Sequence, residues 1–172
     1  KGAYEATKLL LESGHRRILC IQGPRISSTT KERVRGFMDA MHEFGHQDEA
    51  FIRGNDFSIQ NGYIETKMML SSGIRATAIF ALSNMILLGV VKALKEHKLN
   101  IPNDISIISF DDNLYLDYLD PPITRVVQPI EEIGMIAVKM LMQKITDNKD
   151  LNFEILLEPT IIKRESIKLM VK

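Results

Sequence analysis

The stretch Ile105 to Asp112, with the sequence ISIISFDD, decides the fold that this chain is expected to adopt. Residues 105–110 are rich in isoleucine and end in phenylalanine, which favours a strand buried on both faces of a sheet. Asp111 and Asp112 follow this strand directly. In open α/β sheets, ligands bind beyond the carboxyl ends of the strands. We therefore expect a core strand whose end presents two carboxylates to a ligand or to a turn.

Strand and helix patterns alternate through most of the chain. Further short apolar strands are predicted at 17–22, 50–53 and 77–82. Apolar residues at helical spacing fill the segments around them, and Gly14 and Gly45 follow the first two helices, where a left-handed cap is favoured. Such alternation predicts right-handed βαβ units. The predicted fold class is α/β, a doubly wound parallel sheet with helices on both faces.

Polar residues mark the predicted starts of the helices. Thr29 and Glu32 have the spacing of a capping box, in which each side chain bonds to the other residue's backbone. Ser58 precedes the third helix, and Ser83 and Asn84 precede the fourth. Because these residue types cap helices, we expect the helices to begin there.

Composition and charge exclude several classes of protein. The chain has 172 residues, 22 Lys and Arg, and 22 Asp and Glu, so its formal net charge is zero. No basic stripe is available to bind a nucleic-acid backbone, and no apolar run reaches the roughly 20 residues of a membrane span. Cys20 is the one cysteine, so no intramolecular disulfide can form. These features predict a cytoplasmic protein that does not bind DNA through this segment.

The first residues already have a helical pattern, with no strand and no leader before them. We therefore expect the chain to be a piece of a longer protein.

Polar side chains gather at the predicted strand ends. A carboxylate can accept hydrogen bonds from two hydroxyls, an arginine can donate several, and an aromatic ring can cover the C–H face of a sugar. This set suits a polyol, a nucleoside or a similar small polar ligand. The residues are 24–30 with Arg33, 55–58 with Phe57, Ser83 with Asn84, and Asp111 with Asp112.

Each of these residues also has a purely structural interpretation. Aspartates often begin turns, so Asp111 and Asp112 could do only that. Arg33 could be a solvated surface residue, Phe57 could belong to the core, and Ser83 could be a helix cap. The residues alone leave both interpretations open.

The adjacent aspartates also raise the possibility of an enzyme, which the rest of the sequence disfavours. The chain has no second acidic cluster, no glycine-rich phosphate loop, no GxSxG elbow and no HExxH helix. The histidines His15, His42, His46 and His97 lack the spacing of metal ligands. We therefore expect neither catalysis, nor a cofactor, nor a metal site.

Short motifs along nearly the whole chain resemble those of the LacI/GalR family of transcription repressors. Each motif is weak alone, but their order and spacing are specific. The motifs are GHRRI at 14–18, ER at 32–33, GF at 36–37, GY at 62–63, TAIFA at 77–81, LGV at 88–90, IPNDIS at 101–106, FDD at 110–112, PIT at 122–124, VQP at 127–129, IG at 133–134 and KRES at 163–166. The KRES ending is typical of the repressors and not of the related secreted sugar-binding proteins.

The resemblance implies roles for individual residues. The predicted effector-binding residues are Thr29, Arg33, Phe57, Ser83 and Asp111, and the predicted cleft or hinge residues are Phe110 and Gln128. The sequence departs from the family at Ser83-Asn84, where an Asn-Asp or Thr-Asp pair is common. The loss of that acid removes one acceptor and leaves the identity of the ligand open.

The resemblance also implies a division of the chain and a function. Residues 1–128 would form an effector-binding lobe, 129–158 a helix and strand entry belonging to a second lobe, and 159–172 a C-terminal return segment. The chain would sense a sugar or purine-like effector and form a homodimer. DNA would be bound only through a headpiece that is absent from this chain.

The helix predicted at 129–146 has an apolar face that needs a partner. We expect the isolated chain to cover this face by dimerising or by exchanging segments; the alternative is that the helix folds back onto its own sheet. The face consists of Ile133, Ile136, Ala137, Met140, Leu141 and Ile145.

Three other functions remain as alternatives. The first is a periplasmic or lipoprotein sugar-binding protein, which would carry a signal peptide. The second is an enzyme that uses the aspartates on a sugar or nucleotide. The third is a family member that responds to a phosphorylated partner protein, in which the pocket residues would be partly vestigial.

Overall fold

The computed structural model describes residues 1–147 and 154–170. In these two ranges, six strands form one sheet in the order β2-β1-β3-β4-β5-β6. The first five strands are parallel and β6 is antiparallel to β5. The strands are β1 Ile18–Ile21, β2 Ala50–Arg53, β3 Ala78–Ala81, β4 Ser106–Phe110, β5 Thr124–Val127 and β6 Thr160–Ile162.

Within the described residues, five α-helices connect and flank these strands. They are α1 Gly2–Glu12, α2 Ser28–Glu43, α3 Ile59–Ser71, α4 Asn84–Glu96 and α5 Ile130–Asp147, with short helical turns at Gln47–Glu49 and Leu114–Asp117. Ser58 caps α3 by accepting a hydrogen bond from the Asn61 backbone N–H at 3.2 Å. Ser83 caps α4 in the same way, accepting from the Ile86 backbone N–H at 3.2 Å.

The capping box predicted at Thr29 and Glu32 is wrong. Ser27 occupies the N-cap position of α2, and its side chain makes no capping hydrogen bond. Thr29 therefore lies inside the first turn, while Glu32 forms an ion pair with Arg35 one turn later. The spacing of a capping box is present, but the helix begins earlier than that spacing requires.

The sheet separates two apolar layers. Ile108 and Phe110 of β4 face a layer that contains α1 and α2. Ile107, which alternates with them, faces the layer that contains α3 and α4. Because successive side chains of a strand point to opposite faces, a strand covered on both sides is apolar throughout. The predicted doubly wound α/β fold is confirmed.

Strands β5 and β6 were not predicted from the sequence. The segment after β6 packs beside β4 through Ser166, whose Oγ donates to the Ile107 carbonyl oxygen at 2.7 Å and accepts from the Thr124 backbone N–H at 2.8 Å. The backbone of Ser166 also accepts a hydrogen bond from the Ile107 N–H at 2.8 Å. The C-terminal segment is thus attached to both β4 and β5.

Helix α5 does not pack against the sheet, so the alternative that it folds back onto it is wrong. Leu141 is 59% exposed and Ile145 67% exposed. Half-buried Ile136 and Met140 line an apolar groove that residues 155–157 close on the other side. The apolar face of this helix is therefore left largely uncovered within the described residues.

In the part of the chain that the structure describes, no helix has the length and apolar character of a membrane span.

Candidate functional site

A cavity of about 270 Å³ opens at the carboxyl ends of the parallel strands. All five residues predicted to contact an effector line it. They come from the start of α2, the segment before α3, the end of β3 and the end of β4. The lining consists of Thr29, Arg33, Phe57, Ser83, Asn84, Met85 and Asp111.

Arg33 is held at this cavity by three kinds of contact. Its side chain is 10% exposed, and its guanidinium lies 3.7 Å from the centre of the Phe110 ring. Nη1 donates to the Leu82 carbonyl oxygen at 2.5 Å. Nη2 donates to Asp111 Oδ1 at 2.9 Å, and Nη1 donates to Oδ2 at 3.3 Å. The alternative that Arg33 is a solvated surface residue is therefore wrong.

Asp111 has an unusual backbone conformation. Its φ is +74°, in the left-handed region that few residues other than glycine adopt and that aspartate tolerates better than most. Its Oδ1 also accepts a hydrogen bond from the Gln128 side-chain amide at 2.7 Å. The carboxylate is thus held by two side chains, and with 26% of its own side chain exposed it can still accept hydrogen bonds from a ligand.

The two predicted cleft residues, Phe110 and Gln128, support this pair from different directions. The Phe110 ring lies under the guanidinium of Arg33, which favours a cation–π contact. Gln128 lies just beyond β5 and directs its amide to the carboxylate of Asp111. Phe110 therefore helps to orient Arg33, and Gln128 helps to orient Asp111. Phe110 does not line the cavity itself.

Phe57 combines the two roles that the sequence left open. The ring lines the cavity and also packs against the apolar layer that contains α3 and α4. Gly23 permits this position, because a Cβ at residue 23 would overlap the ring of Phe57. The ring can therefore offer an apolar face to a ligand without leaving its packed position.

Ser83 and Thr29 contribute hydroxyls to the cavity wall. Ser83 is 6% exposed and caps α4, so its oxygen is already an acceptor for a backbone N–H while its own O–H remains a donor. Thr29 is exposed in the first turn of α2. Met85 also lines the cavity. Sequence reasoning missed it because its apolar side chain lies at the start of a helix that packs in the core.

A family model for the periplasmic binding protein-like domain matches residues 7–167. The chain belongs to that family. The resemblance to LacI/GalR repressors predicted from the sequence is confirmed by the relatives described next.

Several relatives of this periplasmic binding protein-like domain are transcription regulators. It is 35% identical to the ribose operon repressor of Haemophilus influenzae over 167 residues, which are 96% of this chain and 50% of that protein. The structure of a LacI family transcriptional regulator from Enterococcus faecium with bound ribose matches with a TM-score of 0.89 and 30% identity, covering 98% of this chain and 62% of that one. The lac repressor dimer bound to operator and the anti-inducer ONPF matches with a TM-score of 0.88 and 26% identity, covering 96% and 57%.

This domain spans about half the length of the curated relatives that it matches. The family model covers the whole candidate cavity, because residues 7–167 include every residue that lines it.

Asp112, the second carboxylate of the domain's FDD motif, is absent from the cavity lining. Its Oδ1 accepts a hydrogen bond from Arg125 Nε at 2.5 Å. Arg125 lies on β5 and its side chain is only 3% exposed. Sequence reasoning did not identify Arg125, and the one signal that could have found it is a charged residue within the apolar run ITRVV at 123–127.

His15 and His97 of the domain make hydrogen bonds within the fold. His15 is 1% exposed, with Nδ1 3.0 Å from Thr77 Oγ1 and Nε2 3.1 Å from the Lys168 carbonyl oxygen. Burial lowers the pKa of His15 below its usual 6.5. Among the described residues, no group of three or more His, Cys, Asp or Glu side chains could hold a metal ion.

Proposed function

We propose that this chain is the effector-binding lobe of a LacI/GalR-type transcription repressor, and that its effector is a sugar or a similarly small polar molecule. The observation that carries the proposal is the Arg33–Asp111 pair, joined at 2.9 Å and lining a cavity at the carboxyl ends of the strands. The relatives support the same function, since they are a ribose operon repressor and a regulator whose structure contains ribose.

The chemistry of the cavity suits hydroxylated ligands. Asp111 accepts hydrogen bonds from ligand hydroxyls, Arg33 donates to ring or hydroxyl oxygens, and Phe57 covers an apolar face. Because Arg33 and Asp111 already neutralise each other, the pair binds a neutral ligand without leaving a buried charge unpaired.

The ligand would act by shifting an equilibrium between two lobe arrangements. A ligand with micromolar affinity has about 8 kcal/mol of binding free energy, and only the part that differs between the two arrangements can change DNA affinity. In this proposal no covalent chemistry takes place, and neither a metal nor a cofactor is required.

The proposed division of the chain follows the family. Residues 1–128 form the effector-binding lobe, 129–158 belong to a second lobe, and 159–172 return to the first. The support for the second lobe is the uncovered apolar face of α5. The assembled protein is a cytoplasmic homodimer that binds DNA through a separate headpiece.

Isothermal titration calorimetry on the full-length protein tests the effector site. The panel is ribose, other pentoses, hexoses and purines, and each ligand that binds is repeated with Arg33→Ala and Asp111→Ala. We expect each variant to lose at least about tenfold in affinity, because each removes a charged partner from the site. Arg75→Ala and Asp48→Ala are matched controls, since both residues are exposed and outside the cavity lining.

Binding that survives both cavity substitutions would contradict the site assignment.

The sequence upstream of residue 1 separates a repressor from a transport protein, because a helix-turn-helix supports the proposal and a signal peptide contradicts it. Turnover of a bound sugar or nucleotide that Asp111→Asn abolishes would show an enzyme instead. Binding of a phosphorylated protein, with none of the panel, would favour the family members that respond to such a partner.

A further inference from the structure

The two adjacent aspartates after β4 are held by two arginines from opposite faces of the sheet. Asp111 bonds to Arg33, which lies on α2 beside the ring of Phe110. Asp112 bonds to Arg125, which is aligned with Ser109 across the β4–β5 pair. Phe110 packs in the layer of α1 and α2, and Ser109 points to the other face. The chain turn at 111–112 therefore has one fixed carboxylate on each side of the sheet.

Arg125 is itself fixed by several bonds. Its Nη1 and Nη2 donate to Asp117 Oδ1 and Oδ2, both at 2.9 Å, and Nη1 also donates to the Ile123 carbonyl oxygen at 3.3 Å. Asp117 accepts a further hydrogen bond from Arg164 Nε at 2.8 Å. A buried guanidinium with these partners has little freedom to move, so its contact with Asp112 fixes the position of the Asp112 carboxylate.

We propose that Arg125 is a positioning residue of the effector site, acting through Asp112 to hold Asp111 in the orientation that faces Arg33. This inference rests on the proposed function, because it concerns the same site. It assigns a role to a residue that does not line the cavity.

The physical reason lies in the backbone of Asp111. A φ of +74° is less favourable for aspartate than the extended or right-handed regions, so it persists only where the neighbouring structure requires it. On one side Phe110 ends β4 in its hydrogen-bonded register with Val126, and on the other side Arg125 holds Asp112. Between these two fixed neighbours, Asp111 has one conformation that directs its carboxylate to Arg33 and Gln128.

The same contacts connect the site with the C-terminal segment. Arg164 follows β6 and bonds to Asp117, which is the bidentate partner of Arg125. A row of ion pairs therefore extends from Asp112 through Arg125 and Asp117 to Arg164, and Arg164 is its outermost member.

Crystal structures of the full-length protein and of Asp112→Ala test the inference without any ligand. We expect Asp111 to leave the left-handed region and the bond from Arg33 Nη2 to Asp111 Oδ1 to lengthen beyond hydrogen-bonding distance, while the sheet stays unchanged. Asp112→Asn retains an acceptor for Arg125 Nε and is expected to keep the wild-type geometry. Arg164→Gln is the matched control, because it removes an outer contact of Arg125's partner and leaves the Arg125–Asp112 bond in place.

Calorimetry with D-ribose as the probe provides the second measurement. We expect Asp112→Ala to weaken binding about tenfold, and Asp112→Asn and Arg164→Gln to stay within about threefold of wild type. An unchanged φ at residue 111 and an unchanged Arg33–Asp111 distance in Asp112→Ala would overturn the inference, whatever the calorimetry shows. A displaced Asp111 in a protein whose wild type binds no sugar or purine would support the inference and contradict the proposed function.

Discussion

Arg33 and Asp111 are 78 positions apart in the sequence, yet their side chains form one unit at the cavity. The sequence presented each as a separate candidate for contact with a ligand. In the structure each is the other's main partner, so a ligand meets a preformed pair whose charges are balanced. A preformed pair lowers the cost of binding, because its side chains are ordered before the ligand arrives.

At the scale of single residues, Gly23 controls the position of Phe57. We expect Gly23→Ala to lower the free energy of unfolding by about 1–3 kcal/mol, because the added methyl overlaps the ring and forces it to shift. Urea unfolding of Gly23→Ala, Phe57→Ala and the double variant measures the coupling. In the Phe57→Ala background the cost of Gly23→Ala should fall to about 0.5 kcal/mol or less. Equal costs in both backgrounds would show that another neighbour limits residue 23.

Because His15 is buried, we expect the stability of the protein to depend on pH. Its pKa is lowered by burial, so the unfolded chain takes up a proton near pH 6.5 while the folded chain does not. The contribution of His15 to stability is therefore complete above that pH and is lost as pH falls through the lower pKa of the folded state. We expect the unfolding free energy to decrease between about pH 7 and pH 5, and His15→Gln to reduce that slope. His42→Gln is the control, because His42 is exposed, and an equal change of slope in both variants would contradict the prediction.

At the scale of elements, helices α3 and α4 approach each other through two glycines. A Cβ at Gly62 would overlap the backbone of Ile86, and a Cβ at Gly89 would overlap the backbone of Ile59 and Tyr63. Two helix backbones come this close only where side chains are absent. The close packing of α3 and α4 therefore explains why the GY and LGV motifs, which marked the family in the sequence, contain glycine.

We expect Gly89→Ala to destabilise the fold by about 3 kcal/mol, because backbone atoms cannot move aside as a flexible side chain can. Denaturant unfolding measures the change. Gly134→Ala is the matched control, since this glycine also lies in a helix but has no atom within 4 Å of the added Cβ. It should be neutral or stabilising by up to about 1 kcal/mol. A cost below about 1 kcal/mol at Gly89 would mean that the two helices can separate without loss.

At the scale of the whole molecule, the fold buries its sheet on both faces but leaves α5 largely exposed. Ile133, Leu141 and Ile145 are 43%, 59% and 67% exposed. A continuous apolar face of this kind marks a surface that another segment covers. In the proposed function that segment is the second lobe, for which the length of the relatives leaves room.

The chain of residues 1–172 studied alone should therefore self-associate through α5. Multi-angle light scattering at high protein concentration should give a dimer or a larger species, and Met140→Lys should shift the mass towards the monomer. Lys139→Glu is the control, because it changes a neighbouring residue of the same helix that lies outside the apolar groove. A monomer at high concentration would contradict the prediction.

The sequence by itself determined the order of elements and the edge of the sheet where the site lies. Period and apolar content identified β1 to β4, and the rule for parallel sheets pointed to the segments at their carboxyl ends. Within those segments the resemblance to the LacI/GalR family selected five residues, which the structure brings to one cavity: Thr29, Arg33, Phe57, Ser83 and Asp111. Their roles as effector contacts stay a prediction. The start of α2 after Ser27 was not predicted, since local spacing does not say which turn of a helix comes first.

Only the tertiary structure decided which charges meet. Arg125 pairs with Asp112 and Asp117, and Arg164 reaches Asp117 from 47 positions away. Strand β6 joins β5 from the far end of the chain. Hydrophobic periodicity depends on residues that are close together in the sequence. An ion pair or a strand pairing between distant residues depends instead on distances in space, which exist only after the sheet has formed.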